Sequence, residues 1–485
     1  MLKVSLIKLT MAAVILAMPS ISIAENQNKA TQQPAGWIKQ FIPTNVDKKE
    51  TVPEQIFSVP SDAGVDLSKE LGLEELIELS LSINTETKAA WHLARQMSFK
   101  ADESKGLNYP KVNIGVEVKG QNQYFQGMEG FATQNVYVEP YISVSYLILD
   151  FGKRAGEIEA ARQRMLATQY SFNTLFQNVI YRVEKTYFEY QMVLQAIEAS
   201  KVNLKLAESV DESARAAFEN GLGTVEAVMD ARRIKARAVY ELEQLLNAGK
   251  VSLGEVAIMS GLPSNYPLKV AKAGSLTEPG ALIDGVDKLI STALVYKPEM
   301  SEKYAQVREE EARINAARAE LYPALYTGAY LGASINHFWV ESPPQYASYN
   351  KIYPDFAVAL AFNYELFDGS ARKNRLAAAE ESAKTARERL SGEQLVTVRG
   401  AWNAYYRYMT AKENLKFAVQ LVETAKISRD STAEGFKNGL NTVVESIAAE
   451  RDLAEAEMIH TNALADLYVA SAAVALATGT IGKKN

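Results

Sequence analysis

"FENGLGTVEAVMDARR", Phe218–Arg233, and "FKNGLNTVVESIAAER", Phe436–Arg451, are two versions of one turn, 218 residues apart. In each, a helical pattern runs into Asn-Gly and resumes after a threonine. Asn-Gly at a helix end supplies residues that tolerate positive φ. Gly221 and Gly439 therefore close one helix, and Thr224 and Thr442 cap the next through their hydroxyls. The same offset lays Asp150 on Asp368, Tyr146 on Tyr364, Arg154 on Arg372 and Tyr187-Phe188 on Tyr405-Tyr406. Upstream the offset becomes 213, laying Leu76 on Leu289, Glu86 on Glu299 and Tyr109-Pro110 on Tyr322-Pro323. One change between two constant offsets means a duplicated unit with a loop of variable length inside it. The period is far too long for a solenoid.

The repeats span about 73–261 and 286–479. Each opens with a helical pattern, Leu73 to Leu107 and Val286 to Leu321, that stops before Tyr-Pro. Period-two stretches follow, within about 111–150 and 324–367. Val112, Ile114, Val116 and Val118 share a face, as do Val136, Val138, Ile142, Val144, Tyr146 and Ile148. Phe356, Val358, Leu360, Phe362, Tyr364 and Leu366 do the same in the second repeat. Such lengths suit tilted membrane crossings of about 9–11 residues. A long helix comes next, from about Phe151 to Glu212 and from Ser370 to Ser431, roughly 90 Å each. Its apolar steps of three and four (Phe172, Phe176, Val179, Val183, Tyr187, Tyr190, Leu194, Ile197) form a coiled-coil seam. After the quoted turn a last helix returns to Gly261 or Gly479.

The 485-residue chain opens with Lys3 and Lys8, an apolar run to Met18 and the small-x-small triplet Ser22-Ile23-Ala24. These mark residues 1–24 as a signal peptide cleaved after Ala24. Without it, 50 basic residues stand against 58 acidic ones, which argues against a nucleic-acid partner. There is no cysteine, so no disulfide, thiolate metal site or lipidated N-terminal Cys is expected. Residues 25–72 are polar and Pro-containing and read as an extended or poorly ordered lead-in. Residues 262–285 read as the connector, and 480–485 as a tail. No apolar run of about 18 residues follows the signal peptide, which leaves an outer-membrane β-barrel open.

Four strands per chain cannot close a membrane barrel, because the smallest known have about eight. An open edge in lipid would leave backbone groups unpaired at several kcal/mol each. Several chains must therefore share one barrel, and a conduit favours three chains over two. Aromatic residues bound the strands (Tyr109, Tyr124 and Phe125; Tyr322, Phe338, Trp339, Tyr346, Tyr349 and Tyr353), as at a membrane interface. The alternative is a periplasmic coiled-coil scaffold with a small soluble sheet and no channel.

The duplicated helix–hairpin–long helix–turn–helix unit, "LYPALY", "LFDGSARKNR" and the twin "FxNGLxT" turns together resemble the TolC family of outer-membrane efflux and secretion channels. The resemblance covers Leu73 to Gly479. It implies an α+β membrane protein: a homotrimer with a twelve-stranded outer-membrane β-barrel continuous with a periplasmic α-helical coiled-coil barrel. It also implies outer-membrane lipid around the barrel, a periplasmic adaptor (membrane fusion) protein, and an inner-membrane ABC or resistance–nodulation–division pump. The tips, with Phe218, Gly221, Gly223, Thr224, Phe436, Gly439, Asn441 and Thr442, would form the periplasmic end that meets the adaptor.

The family's acidic entrance ring falls on Glu445 and Ala448, so only one of its two positions is acidic here. Glu226 and Asp230 of the first repeat could complete it. Like charges around one axis attract cations, although first-turn acids also simply favour the helix dipole. The family's gate arginine falls on Asn441 and Gly223, so that lock is absent. The missing lipidation Cys, an anchor of many drug-efflux members, points toward a secretion or general-purpose duct.

No enzyme chemistry is expected. His92, His337 and His460 are the only histidines and have no ligand pattern around them. "GLGT" at 221–224 lacks the third Gly of a dinucleotide loop and the Lys of a P-loop. No cofactor or metal is called for.

Overall fold

A computed structural model describes residues 66–124, 132–272, 285–342, 345–438 and 440–481. The signal peptide with Ala24, most of the lead-in, and Gly439 lie outside the described residues. The first repeat contains α1 (Leu73–Ile83), α2 (Thr85–Lys105), β1 (Lys111–Tyr124), β2 (Ala132–Leu149), α3 (Lys153–Glu219) and α4 (Val225–Met259). The second contains α5 (Val286–Tyr296), α6 (Pro298–Ala319), β3 (Ala324–Ser342), β4 (Gln345–Asn363), α7 (Ala371–Lys437) and α8 (Val443–Thr478).

The helix expected from Leu73 to Leu107 is in fact two. It breaks at Asn84, whose side chain accepts from the Glu86 N–H and caps α2. The matching break falls at Lys297, because Pro298 at the first position of α6 cannot continue α5. Each break receives a glycine from the end of the same repeat. A Cβ on Gly261 would lie 3.1 Å from Asn84, and one on Gly479 would lie 2.9 Å from Lys297. Both glycines have positive φ.

β1 to β4 form one antiparallel meander in chain order, leaving β1 and β4 as edges. The register puts Val112 on Val144, Ile114 on Ile142, Val138 on Ile335, Leu331 on Phe356 and Ala329 on Val358. One apolar face therefore crosses all four strands. It stays uncovered by the described residues, with Ile114, Phe356 and Val358 about four-fifths exposed (84%, 79% and 81%).

The sheet ends earlier than the alternation implied, at Asn363 rather than Phe367. Tyr364 instead lies against the guanidinium of Arg372, 5.9 Å from the ring centre, as Tyr146 does with Arg154 at 5.7 Å. Each arginine also pairs with the aspartate that opens the turn: Arg154 with Asp150 at 2.9 Å and Arg372 with Asp368 at 2.8 Å. These two matching clamps turn sheet into helix. Positive φ at Phe151 and Gly152, and at Gly369 and Ser370, makes room for them.

α3 and α7 have 67 residues each, longer than expected and roughly 100 Å. α3 packs on α4, α8, α6 and α2, while α7 packs on α8, α6 and α5. Two apolar clusters anchor the layers. One gathers Leu76, Leu79, Val179, Val183, Tyr187, Phe188, Ala465 and Val469. The other gathers Leu289, Tyr408, Leu415, Leu464, Leu467 and Ala470. α8 is long and apolar enough to cross a membrane by length and composition alone. α3 and α7 flank it and bury Leu467 and Ala470 completely.

Candidate functional site: the hairpin tips and the sheet faces

Each long helix ends in a tight turn. At tip one the Asn220 N–H donates to Ala216 O (3.1 Å), Gly221 to Phe218 O (3.0 Å) and Leu222 to Ala217 O (2.8 Å). Gly221 has φ +68°, the left-handed value such a cap requires. Thr224 Oγ1 accepts from the Ala227 N–H at 3.2 Å and starts α4. Tip two repeats this. Asn438 donates to Glu434 O (3.1 Å) and Leu440 to Gly435 O (2.8 Å). Thr442 Oγ1 accepts from Glu445 N (3.2 Å), and the Glu445 carboxylate accepts from Thr442 N (2.7 Å), a reciprocal capping box.

Asn441 does not stand idle in place of an arginine. Its amide donates to Thr432 O at 3.1 Å, pinning the turn to the last coils of α7.

Of the acidic candidates, Glu226 and Asp230 lie exposed on the first turns of α4. Asp230 pairs with Arg233 at 3.2 Å. Glu445 is exposed, but its carboxylate is engaged by Thr442, whose backbone and hydroxyl donors hold its pKa below the usual range. Two tip residues escaped the sequence reading: Leu222 and Leu440, at 86% and 81% exposed. Phe218 and Phe436 sit nearby, both about 45% exposed (45% and 44%). The signal was present, since a leucine one residue after a turn glycine has no helix face to bury against.

Above tip one, Asp211 is buried between α3 and α4. It pairs with Arg215 on its own helix and lies 3.8 Å from Lys235 on the other, which also reaches Glu208 at 3.9 Å. The hydrogen bond from Arg215 holds the Asp211 carboxyl below its ordinary pKa. Among the described residues, no ion pair crosses from α7 to α8.

On the sheet, the face opposite the apolar one carries Glu117, Lys119, Glu139, Tyr141, Tyr330 and Asp355. Tyr141 lies over Gly115 and Tyr330 over Gly332, where an added Cβ would come within 2.8 Å of the Tyr141 ring and of the Tyr330 hydroxyl. The two rings stack at 5.4 Å. The glycines thus let bulky rings lie flat on the wall. Among the described residues, no acidic or histidine cluster could hold a metal.

A polar, tyrosine-lined face backed by an apolar one, with two long hairpins on the same chain, defines an outer-membrane channel protein with a periplasmic helical extension. The chain belongs to the outer membrane efflux protein family, whose model matches residues 76–255 and 289–480. It is 21% identical over 428 residues to Protein CyaE of Bordetella pertussis, covering 88% of each chain. It is 22% identical over 441 residues to the pyoverdine export outer membrane protein OpmQ of Pseudomonas putida, covering 87% of each. Its fold matches the outer-membrane channel OprN with a TM-score of 0.69 at 17% identity, over 88% of this chain and 97% of that one. It also matches the Campylobacter jejuni CmeC outer membrane channel with a TM-score of 0.70 at 15% identity, over 84% and 85%.

As a member of this family, the protein is a passive outer-membrane export channel rather than an enzyme. It works as a homotrimer with a periplasmic adaptor and an inner-membrane pump. Three copies supply the partners that the β1 and β4 edges lack within one chain. The scaffold alternative is thereby set aside.

Proposed function

We propose that the two hairpin tips of each protomer, six in the trimer, surround the periplasmic entrance of the duct, with Glu226, Asp230 and Glu445 facing the passage. On this reading the carboxylates favour cations at the mouth, and the adaptor docks on Phe218, Leu222, Phe436 and Leu440. The observation that carries it is the pair of bare leucines, Leu222 and Leu440. Each occupies the apex of a helical hairpin, and nothing among the described residues covers it. Exposed apolar residues held on a rigid turn suit a protein partner. Gly221, Gly223, Thr224, Asn441 and Thr442 shape the tips rather than touch cargo.

The cargo is set by the pump, an ABC or resistance–nodulation–division transporter. Among the relatives, OpmQ is named for pyoverdine export. With no lipidation cysteine in the chain, a secretion or general-purpose duct is the reading we favour.

The test is planar-bilayer recording of the triple variant Glu226→Gln, Asp230→Asn, Glu445→Gln. Glutamine keeps the capping box while removing the charge. The expected result is a clear loss of cation preference with channels still forming. An unchanged permeability ratio would sink the acidic entrance. For docking, Leu222→Asp with Leu440→Asp should abolish export while leaving bilayer conductance intact.

A further inference from the structure

The duplication makes one seam inside the chain a template for a seam between chains. α3 packs against α8 of its own chain. α7 is the repeat mate of α3, and α4 the repeat mate of α8. Among the described residues α4 packs on α3 along its length and on α1 at its C-terminal end, while α7 packs on α8, α6 and α5 and leaves Trp402, Tyr406 and Phe417 exposed (47%, 48% and 61%). Carrying the α3–α8 contact forward by one repeat sets α7 of one protomer against α4 of the next. The correspondence is sound at the residue level, because the Gly261–Asn84 and Gly479–Lys297 contacts superimpose under the same two offsets.

At the centre of the inner seam, Phe188 stacks on Tyr468, with ring centres 4.9 Å apart and planes 19° from parallel. Phe188 is held edge-on by Tyr187 at 5.3 Å. The mates of that aromatic pair, Tyr405 and Tyr406, keep the same edge-on arrangement at 5.2 Å. Tyr406 also touches Trp402, one turn earlier on α7, with ring centres 4.9 Å apart and planes at 50°, yet the ring stays 48% exposed. The residue 218 positions before Tyr468 is Lys250. It is exposed on α4 and is followed by Val251, the mate of the buried Val469, at 65% exposure.

We propose that Lys250 of the neighbouring protomer lies over the ring of Tyr406 and Val251 packs beside it. A cation–π contact between chains then replaces the aromatic stack within each chain. An ammonium over a tyrosine face is a favourable pair, more so once water is excluded. The occupant of this exposed strip is a second copy, because the strip and its complement are mates of two surfaces already seen in contact. This rests on the trimeric channel described above.

The chain has no native cysteine, so site-directed pairs are clean. Tyr406→Cys combined with Lys250→Cys, treated with a short bismaleimide in the membrane fraction, should give covalent dimers and trimers. Phe188→Cys with Tyr468→Cys probes the same seam within one chain and should give none. Glutaraldehyde on the wild-type protein reports the trimer independently. A trimer under glutaraldehyde with only monomer from the Tyr406/Lys250 pair overturns the proposed seam. No trimer under glutaraldehyde overturns the trimeric reading and the seam with it. In addition, Lys250→Glu should lower the temperature at which the trimer dissociates in detergent, while Lys250→Arg should not. An unchanged temperature for Lys250→Glu overturns the cation–π contact.

Discussion

The two hairpin tips make the same turn with their side-chain volume in opposite places. In tip one Ala217 sits on the helix and Gly223 in the turn; in tip two the mates are Gly435 and Asn441. A Cβ at Gly223 would lie 2.9 Å from the backbone nitrogen of Phe218 and 3.3 Å from the Ala217 methyl. A Cβ at Gly435 would meet the Asn441 amide at 2.5 Å. Each tip holds one small residue where the other tip holds a larger one. A duplicated element thus conserves its path while its contacts diverge in compensating pairs. The helix seams diverge likewise. Gly156 on α3 lets α6 approach until its own Cβ would lie 2.7 Å from Ala316 N and 2.8 Å from Ala312 O, whereas its mate on α7 is Asn374.

The severest break of this comparison is to give the first repeat the residue of the second at that seam. Gly156→Asn drives a side chain into backbone atoms, which cannot rotate away. A loss of about 3 kcal/mol is expected, read as a lower melting temperature in detergent. Asn374→Gly, the reverse exchange, should cost far less. If the two exchanges cost the same, the seams are equivalent after all.

At the tips, Gly223→Asn alone should cost about 2 kcal/mol by overpacking against Ala217. Adding Ala217→Gly rebuilds the arrangement of tip two and should restore roughly half of that. Hydrogen exchange at the Leu222 amide reports it. Purely additive effects would refute the compensation.

Much of this was legible in the sequence, because the duplication repeats each signal twice. The turn glycines and the alternating strands each had a mate to support the reading, whereas the aligned Asp150/Asp368 and Arg154/Arg372 showed a shared turn without showing that they pair. What stayed hidden was relational. Nothing local in "NGLNT" says that Asn441 reaches back to Thr432, a contact across a turn. The Asn84 break was invisible because Asn is tolerated within helices, although Pro298 marked its mate in plain view. The exposed leucines could have been found, as turn apices have no interior. The pairing of Tyr406 could not, because it depends on which surfaces a single chain leaves bare.

A third contrast lies midway along the long helices. Glu184 on α3 is mated to Trp402 on α7. Burial with no compensating cation pushes the Glu184 carboxyl up to about 7. A raised acid costs nothing below its unfolded pKa of about 4.3. The penalty grows as pH rises and is complete above the folded value. Glu184→Gln should therefore stabilise the protein by roughly 1–2 kcal/mol at alkaline pH. The gain should vanish near pH 4. Equal melting-temperature gains at both ends would show that the group is not desolvated.

The smallest contrast separates the two caps. Thr442 belongs to a reciprocal box with Glu445, whereas Thr224 accepts one bond from Ala227 and receives none back. Thr442→Ala should cost about 1 kcal/mol, and Thr224→Ala less, since only one donor is orphaned there. The pH dependence tells them apart further. The Thr442 donors hold the Glu445 pKa low, so the contribution of the box is present above the unfolded carboxylate range and fades as pH falls through the folded value. The cost of Thr442→Ala should shrink on acidification, while that of Thr224→Ala stays level. If both behave alike, Glu445 is not committed to its cap.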